Sequence, residues 1–248
     1  MLWQLVLPFA VILPLLAGWE LYTLSLGNPF VPGPIDVATA LPAVLTAEVL
    51  DGFITTNAAL TQGYLVAGVV GIFLGLATGR YRAVDALVKP YLDLAMVTPM
   101  IVIMPVVLMA IGLDPIALSV VVFLFAVPYI TVPCRAGAKA IPESVVDMGR
   151  SFGAHEFQLW REVILPGALP FVLTGLRLGF GQAVTGIIAT ELTLLAVGVG
   201  RVILTLQGRF RVDEVFAVTL LVVAECVIVM GALRLLELRQ RYRQAVTA

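Results

Sequence analysis

The chain has 248 residues, 60% hydrophobic and 12% charged, with a mean hydropathy of +1.05; ordinary soluble domains hold roughly 45 to 50% apolar residues, so a soluble globular fold is excluded. The formal net charge is −1, with Lys and Arg scattered between apolar blocks and in the C-terminal tail, which leaves no basic footprint for nucleic acid. Cys134 and Cys226 stand in apolar sequence without metal-ligand spacing and say nothing about disulfides.

Cutting the apolar runs at Gly, Pro and charged clusters gives six blocks: 2–26, 59–79, 92–112, 115–134, 168–192 and 214–236. Crossing a hydrocarbon core of ~30 Å takes about 20 helical residues, and each block is near that length. Backbone amides in lipid must be bonded internally and the alternation of a membrane barrel is missing, so the spans are helices. The sequence therefore predicts an all-α membrane protein of six transmembrane helices, a single transmembrane domain over 1–248 with its core at about 57–237. The first block lacks a preceding Lys or Arg and a clear small-x-small site behind it, which reads as a retained span and not a cleaved signal peptide.

Residues 27–57 carry Pro29, Pro32, Pro34 and Pro42 and an amphipathic stretch from about Ile35 to Leu50, an extramembrane connection with one surface helix. The second block repeats Gly71, Gly75 and Gly79, and the fifth repeats Gly175 and Gly179; small residues four apart give a helix a flat face for close packing. Pro99, Pro105, Pro128 and Pro133 predict kinks in the third and fourth blocks. Basic residues in short loops favour the cytoplasm. One side collects Arg80, Arg82, Lys89, Arg135, Lys139, Arg150, Arg161, Arg239, Arg241 and Arg243, and the other holds Arg201, Arg209 and Arg211. Both termini and the long loop after the fourth block are therefore expected in the cytoplasm.

That loop, 139–166, is too polar to span and too patterned to be irregular. Pro142 and Glu143 suit a helix N-terminus. Val145, Met148 and Phe152 then recur at helical spacing, and Gly153 is placed to close the helix with a left-handed cap. A second short helix is expected beyond it, with Phe157, Trp160 and Ile164 on one face and Pro166 as its stop. The result is a helical hairpin with exposed aromatics, built either to lie on lipid or to dock a cytoplasmic protein.

The loop resembles the EAA loop of ABC importer permeases, in which Glu-Ala-Ala is followed by a glycine four residues on, nine further residues, and Ile-x-Leu-Pro. Here Gly153 is followed by Ala154 to Glu162 and then by Val163, Ile164, Leu165 and Pro166, in register. The Glu-Ala-Ala positions read Asp147, Met148 and Gly149, which keeps the acid and loses both alanines. The run from Leu165 to Leu192, with Thr98-Pro99, Met104-Pro105 and Ile111-Gly112, is similar to permeases of the nitrate, sulfonate and taurine importers, a group with relatives for pyrimidine precursors and aromatic carboxylates. The resemblance implies a type I importer permease of six helices per subunit, in a bacterial inner membrane. It would form a homodimer with the translocation path between the copies, two ATPase subunits, and a periplasmic or lipid-anchored solute-binding protein. It also implies that Asp147, Met148, Gly149, Arg150, Phe152, Gly153, Ala154, His155, Glu156, Phe157, Leu165 and Pro166 couple to the ATPase. ATP and Mg would be bound by that partner, and no cofactor by this chain.

Candidate pathway residues are Met96, Thr98, Met100, Arg177, Gln182 and Glu191. Intramembrane charges usually face protein or water. Arg177 and Glu191 share nearly one helical face about 21 Å apart along the axis, so they cannot pair; they either line the path or snorkel to opposite interfaces. Glu225 poses the same question, and Asp93 is expected at the interface. Enzyme readings lack parts: the one histidine, His155, has Leu159 where a zinc-protease helix needs a second histidine, and no phosphate-binding Gly-x-x-x-x-Gly-Lys run is present. An ion-coupled carrier working alone would show inverted halves, and no internal repeat is visible.

Overall fold

The computed structural model describes the backbone of residues 2–27, 30–112 and 115–247, and the side chains of 12–25, 27, 30–112, 116–235, 237 and 238. Pro29 and the side chains of Arg239, Arg241 and Arg243 lie outside these. The described chain is helical: α1 Leu2–Leu26, α2 Pro34–Val44, α3 Ala47–Arg80, α4 Arg82–Val97, α5 Met100–Ile111, α6 Pro115–Lys139, α7 Glu143–Ser151, α8 Glu156–Leu159, a π-turn Trp160–Ile164, α9 Leu165–Thr193, α10 Gly198–Gly208 and α11 Val212–Thr247. By length and composition, Ala47–Arg80, Ile116–Lys139, Glu156–Thr193 and Val212–Leu235 are long and apolar enough to cross a membrane; α4 with α5 makes a fifth if a broken span counts as one. The chain divides into two compact units, residues 1–55 with 196–225 and residues 56–195 with 226–248.

In the larger unit α6 is the central helix. Ala117, Val121, Val122, Ala126, Ile130 and Cys134 are wholly buried at helical spacing, so α6 is enclosed on its apolar stripe. The glycine faces predicted from the sequence supply the enclosure. A Cβ at Gly75 would stand 2.6 Å from the Thr131 carbonyl oxygen, and one at Gly79 2.6 Å from that of Arg135. On α9, a Cβ at Gly175 would stand 2.8 Å from the Ile130 carbonyl oxygen. Backbone-to-backbone approach of this kind lets dispersion hold helices where lipid removes any hydrophobic difference. Tyr64 joins α3 to α9, donating to the Leu176 carbonyl at 2.7 Å with its ring edge-on to Phe180 at 5.5 Å.

In the smaller unit Glu20 of α1 accepts the Ile35 N–H of α2 at 3.3 Å, and a Cβ on Gly33 would stand 2.5 Å from its carboxylate. The same carboxylate thus serves an N-terminal donor of α2 that no intrahelical carbonyl can reach. Helix α10 packs Val199, Val202, Ile203 and Leu206 inward, and a Cβ on Gly52 would stand 3.0 Å from the Gly198 carbonyl oxygen. Trp19 meets Phe216 at 6.3 Å.

The structure departs from the expected blocks in four places. The third block is no single helix: the chain turns by 108° between α4 and α5, with Thr98 extended (φ −78°, ψ 126°), because the residue before a proline is driven out of the α region. The fourth block, expected to end at 134, runs on as one helix to Lys139 with Pro128 and Pro133 inside it, and Thr131 Oγ1 donates to the Val127 carbonyl at 2.7 Å. The second helix starts at Ala47, ahead of residue 59, because Asp51, Thr55, Thr56 and Asn57 are too polar for a hydropathy cut and still helical. Pro166 stops nothing: it follows the π-turn directly, in the first residues of α9, and helix runs on from Glu156 to Thr193.

Candidate functional site

The site is the fold-back of α7 onto the start of the helix that becomes α9. Helix α7 ends as the sequence predicted. Gly153 has φ +83°, its N–H donates to the Arg150 carbonyl at 2.9 Å, and the Ala154 N–H donates to the Gly149 carbonyl at 3.1 Å, the two bonds of a Schellman cap. His155 then opens the next helix: its Nδ1 accepts the Gln158 N–H at 3.4 Å while Gln158 Oε1 accepts the His155 N–H at 3.1 Å, a reciprocal cap that satisfies two orphan donors. Arg150 bridges the arms, 2.7 Å from Glu156 and 3.6 Å from Asp147. Its guanidinium pKa is raised, first by the hydrogen bond to Glu156.

Packing divides the fold-back into a buried and an exposed side. Val146, Leu159 and Ile164 are buried, and a Cβ on Gly149 would stand 2.6 Å from Leu159 Cδ2. Glycine at this Ala position of the motif therefore brings the arms close. Outward stand Met148, Phe157 and Phe152, the last 85% exposed. The expected common face of Phe157, Trp160 and Ile164 is not formed. Ile164 points inward, Phe157 outward, and Trp160 is half-buried against Tyr81; the wider π-turn rotates successive side chains away from the 100° step of an α-helix. Asp147, His155 and Glu156 are exposed, Ala154 is half-buried, and Leu165 and Pro166 are exposed at the entry to α9.

A polar cluster missed by the sequence reading borders the fold-back. Asp85 of α4, ahead of the third apolar block, accepts from Arg135 Nε at 2.5 Å and Nη2 at 3.0 Å and from Lys139 Nζ at 2.5 Å. Those hydrogen bonds hold its carboxyl down at about 2, so it is ionised at neutral pH. Arg80 meets Glu143 at 3.3 Å. The signal was the polar run after Gly79, which reads as a loop unless the basic residues beyond the fourth block are counted as its partners.

The candidate pathway residues fall into separate settings. Thr98 stands at the α4–α5 break with Met96 exposed before it and Met100 packed on the core after it. Gln182 is half-buried on α9. Glu191 is wholly buried and accepts from Thr56 Oγ1 at 2.7 Å. Arg177 pairs with Glu237 of α11 at 3.1 Å, and Thr174 Oγ1 donates to the same carboxylate at 3.3 Å. The two charges on one face of α9 thus have partners on different helices, as burial of charge in an apolar bundle requires. Glu225 is half-buried, and Asp93 pairs with Lys89 on the exposed side of α4. In the smaller unit an open cavity of about 500 Å³ is lined by Thr23, Asp36, Thr39, Phe210 and Asp213. Both carboxylates lie in helix first turns, where they complement the dipole, and Asp36 also accepts the Gly33 N–H at 3.0 Å.

With this geometry in place, comparison with known proteins is specific. The chain is 31% identical to the bicarbonate transport system permease protein CmpB of Synechococcus elongatus, with 79% of this chain and 75% of that one aligned. It is 29% identical to the taurine transport system permease protein TauC of Escherichia coli, with 83% and 77% aligned. Its fold matches a chain of the MetNI methionine ABC transporter in inward-facing conformations, at a TM-score of 0.60 and 18% identity, covering 79% of this chain and 96% of that one. Residues 67–242 match the family described as binding-protein-dependent transport system inner membrane component, a range that takes in the fold-back and α9, and the chain belongs to that family, as an ABC importer permease of the nitrate, sulfonate and taurine group.

Proposed function

We propose that this chain forms, as a homodimer, the translocation pathway of an ATP-driven importer for a small anionic solute delivered by a solute-binding protein. The observation that carries the reading is the α7 fold-back. In a family of transporter components, an apolar tip of Met148, Phe152 and Phe157 stands exposed on a rigid, doubly capped base. Exposed apolar groups on a small polar module mark a protein contact. Its partner is an ATPase subunit that binds ATP and Mg; this chain contributes no catalytic group and no cofactor site. Nucleotide-driven closure of two such partners would displace the two fold-backs together, and their different positions in the two states give the differential contact that coupling requires. The basic-residue asymmetry supports a cytoplasmic fold-back and cytoplasmic termini. The anionic solute is supported by the relatives named for bicarbonate and taurine.

Co-purification tests this. The native chain, expressed with its ATPase partner, should retain it through purification. Phe152→Asp should lose it by about thirtyfold in affinity, the weight of an interface anchor, without loss of folded permease, because Phe152 is 85% exposed. Full retention by Phe152→Asp would remove the fold-back from the interface.

A further inference from the structure

Tyr81 is the single residue between α3 and α4, with an extended backbone of φ −111° and ψ 116°. Its N–H donates to the Ala77 carbonyl at 2.8 Å and its carbonyl accepts the Asp85 N–H at 3.0 Å, so both helices are closed up to it. One extended residue between two complete helices is a joint: its two dihedrals alone set the angle between them. The side chains at this joint reach the fold-back. Arg80 meets Glu143, the first residue of α7, at 3.3 Å. The Tyr81 ring lies 6.2 Å from that of Trp160, and Tyr81 Oη accepts the indole Nε1–H at 3.2 Å.

These two contacts differ in weight. Glu143 is 73% exposed, so solvent screens its pair with Arg80. Trp160 is half-buried against the core and opens the π-turn at the root of the fold-back; π-turns occur preferentially at functional sites. The aromatic contact is therefore the stronger tie at the joint. Beyond it, Asp85 binds the first turn of α4 to Arg135 and Lys139 at the end of α6, the helix that leads into the fold-back. Helix α4 is thus held to the fold-back at the joint and to the end of α6 one turn later, and it continues to the 108° break before α5. A shift of the fold-back has a direct mechanical route into α4, and the flexible point on that route is the backbone of Tyr81.

We infer that Tyr81 is a positioning residue: through its contact with Trp160 the fold-back sets the angle of α4 on α3. The inference rests on the reading of the fold-back as the ATPase-docking element. Its test uses the assembled transporter in nanodiscs, with Cys134 and Cys226 replaced and spin labels at Val69 of α3 and Leu87 of α4, both exposed. The distance between the labels is measured with and without ATP and vanadate. The native assembly should show two distance populations whose ratio nucleotide shifts. Tyr81→Ala should keep its ATPase subunit and its ATP hydrolysis while the shift in ratio falls about tenfold, in the range of network mutations that touch neither ligand. Tyr81→Phe keeps the ring and loses the hydroxyl, and should lower the shift about twofold; it stands as the measurement if the alanine variant yields no folded permease. An unchanged shift in these variants overturns the inference. Loss of the ATPase subunit from Tyr81→Ala also overturns it, because Tyr81 would then belong to docking. A native chain that retains no ATPase overturns the docking reading itself, and this inference with it.

Discussion

Two helix ends in this protein are closed by the same pair of backbone hydrogen bonds and differ in the residue at the pivot. At the end of α7 the pivot is Gly153, φ +83°. At the end of α10 it is Phe210, φ +56°, whose N–H donates to the Gln207 carbonyl at 3.0 Å while the Arg211 N–H donates to the Leu206 carbonyl at 3.1 Å. A side chain in the left-handed region costs roughly 1 to 2 kcal/mol, so one turn avoids a strain that the other carries. The difference lies in what surrounds them. A Cβ on Gly153 would meet nothing within 4 Å, so no neighbour could hold a larger residue in place. Phe210 has its ring edge-on to Phe30 at 6.2 Å, a contact of about 0.5 to 1.5 kcal/mol that offsets part of the strain. Positive φ is thus tolerated without glycine where the side chain has a partner.

The sharpest way to break the comparison is at a glycine whose need is spatial. Gly75 lies in regular helix against Thr131 and Cys134. Gly75→Val should force α3 and α6 apart and lower stability by about 3 kcal/mol or more, the upper range for overpacking. The measurement is folded yield and thermal unfolding in detergent. A variant that folds at native yield with an unshifted Tm would mean that glycine packing does not hold α6.

Gly153→Val should do less to stability and more to function. With open space at its Cβ the substitution meets only backbone strain, about 1 to 2 kcal/mol, small beside a core of buried spans. The variant should insert and unfold near the native temperature. Its α8 arm, re-aimed by a changed cap, should capture the ATPase subunit at least about tenfold more weakly. Native capture by a stably folded Gly153→Val would show that the cap does not orient the docking surface.

The same contrast explains what could be read from sequence. Gly153 was legible because a glycine after a helical apolar pattern has a local reason to be there, and Gly71, Gly75 and Gly79 because their spacing is regular. Phe210 was not, since its strain is offset by a residue far away in the chain. Helix α10 was overlooked although Val199, Val202, Ile203 and Leu206 carry a helical repeat; the basic residues around it favoured a loop. Pro166 was misread because a proline can also lie within a helix that continues past it, and the π-turn before it is invisible to hydropathy. Glu191 and Arg177 stood out as buried charges, while their partners Thr56 and Glu237 are fixed only by tertiary packing. Tyr81 was missed because a one-residue joint leaves no pattern.

The smallest expected effect sharpens the comparison most. Asn tolerates the left-handed region better than Phe, so Phe210→Asn removes backbone strain and loses the ring contact with Phe30. The two changes are of similar size, and Phe210→Asn alone should move stability by less than about 1 kcal/mol. The terms separate in a Phe30→Ala background, where the edge-on contact is already gone. There Phe210→Asn retains only the relief of strain and should stabilise by roughly 1 kcal/mol. Unfolding of the four proteins of this cycle in one detergent supplies the test, and the difference between the two Phe210→Asn effects reads the ring contact directly. If Phe210→Asn destabilises in the Phe30→Ala background, Phe210 is held by interactions other than Phe30, and the positive φ of this turn is not offset by the contact that distinguishes it from Gly153.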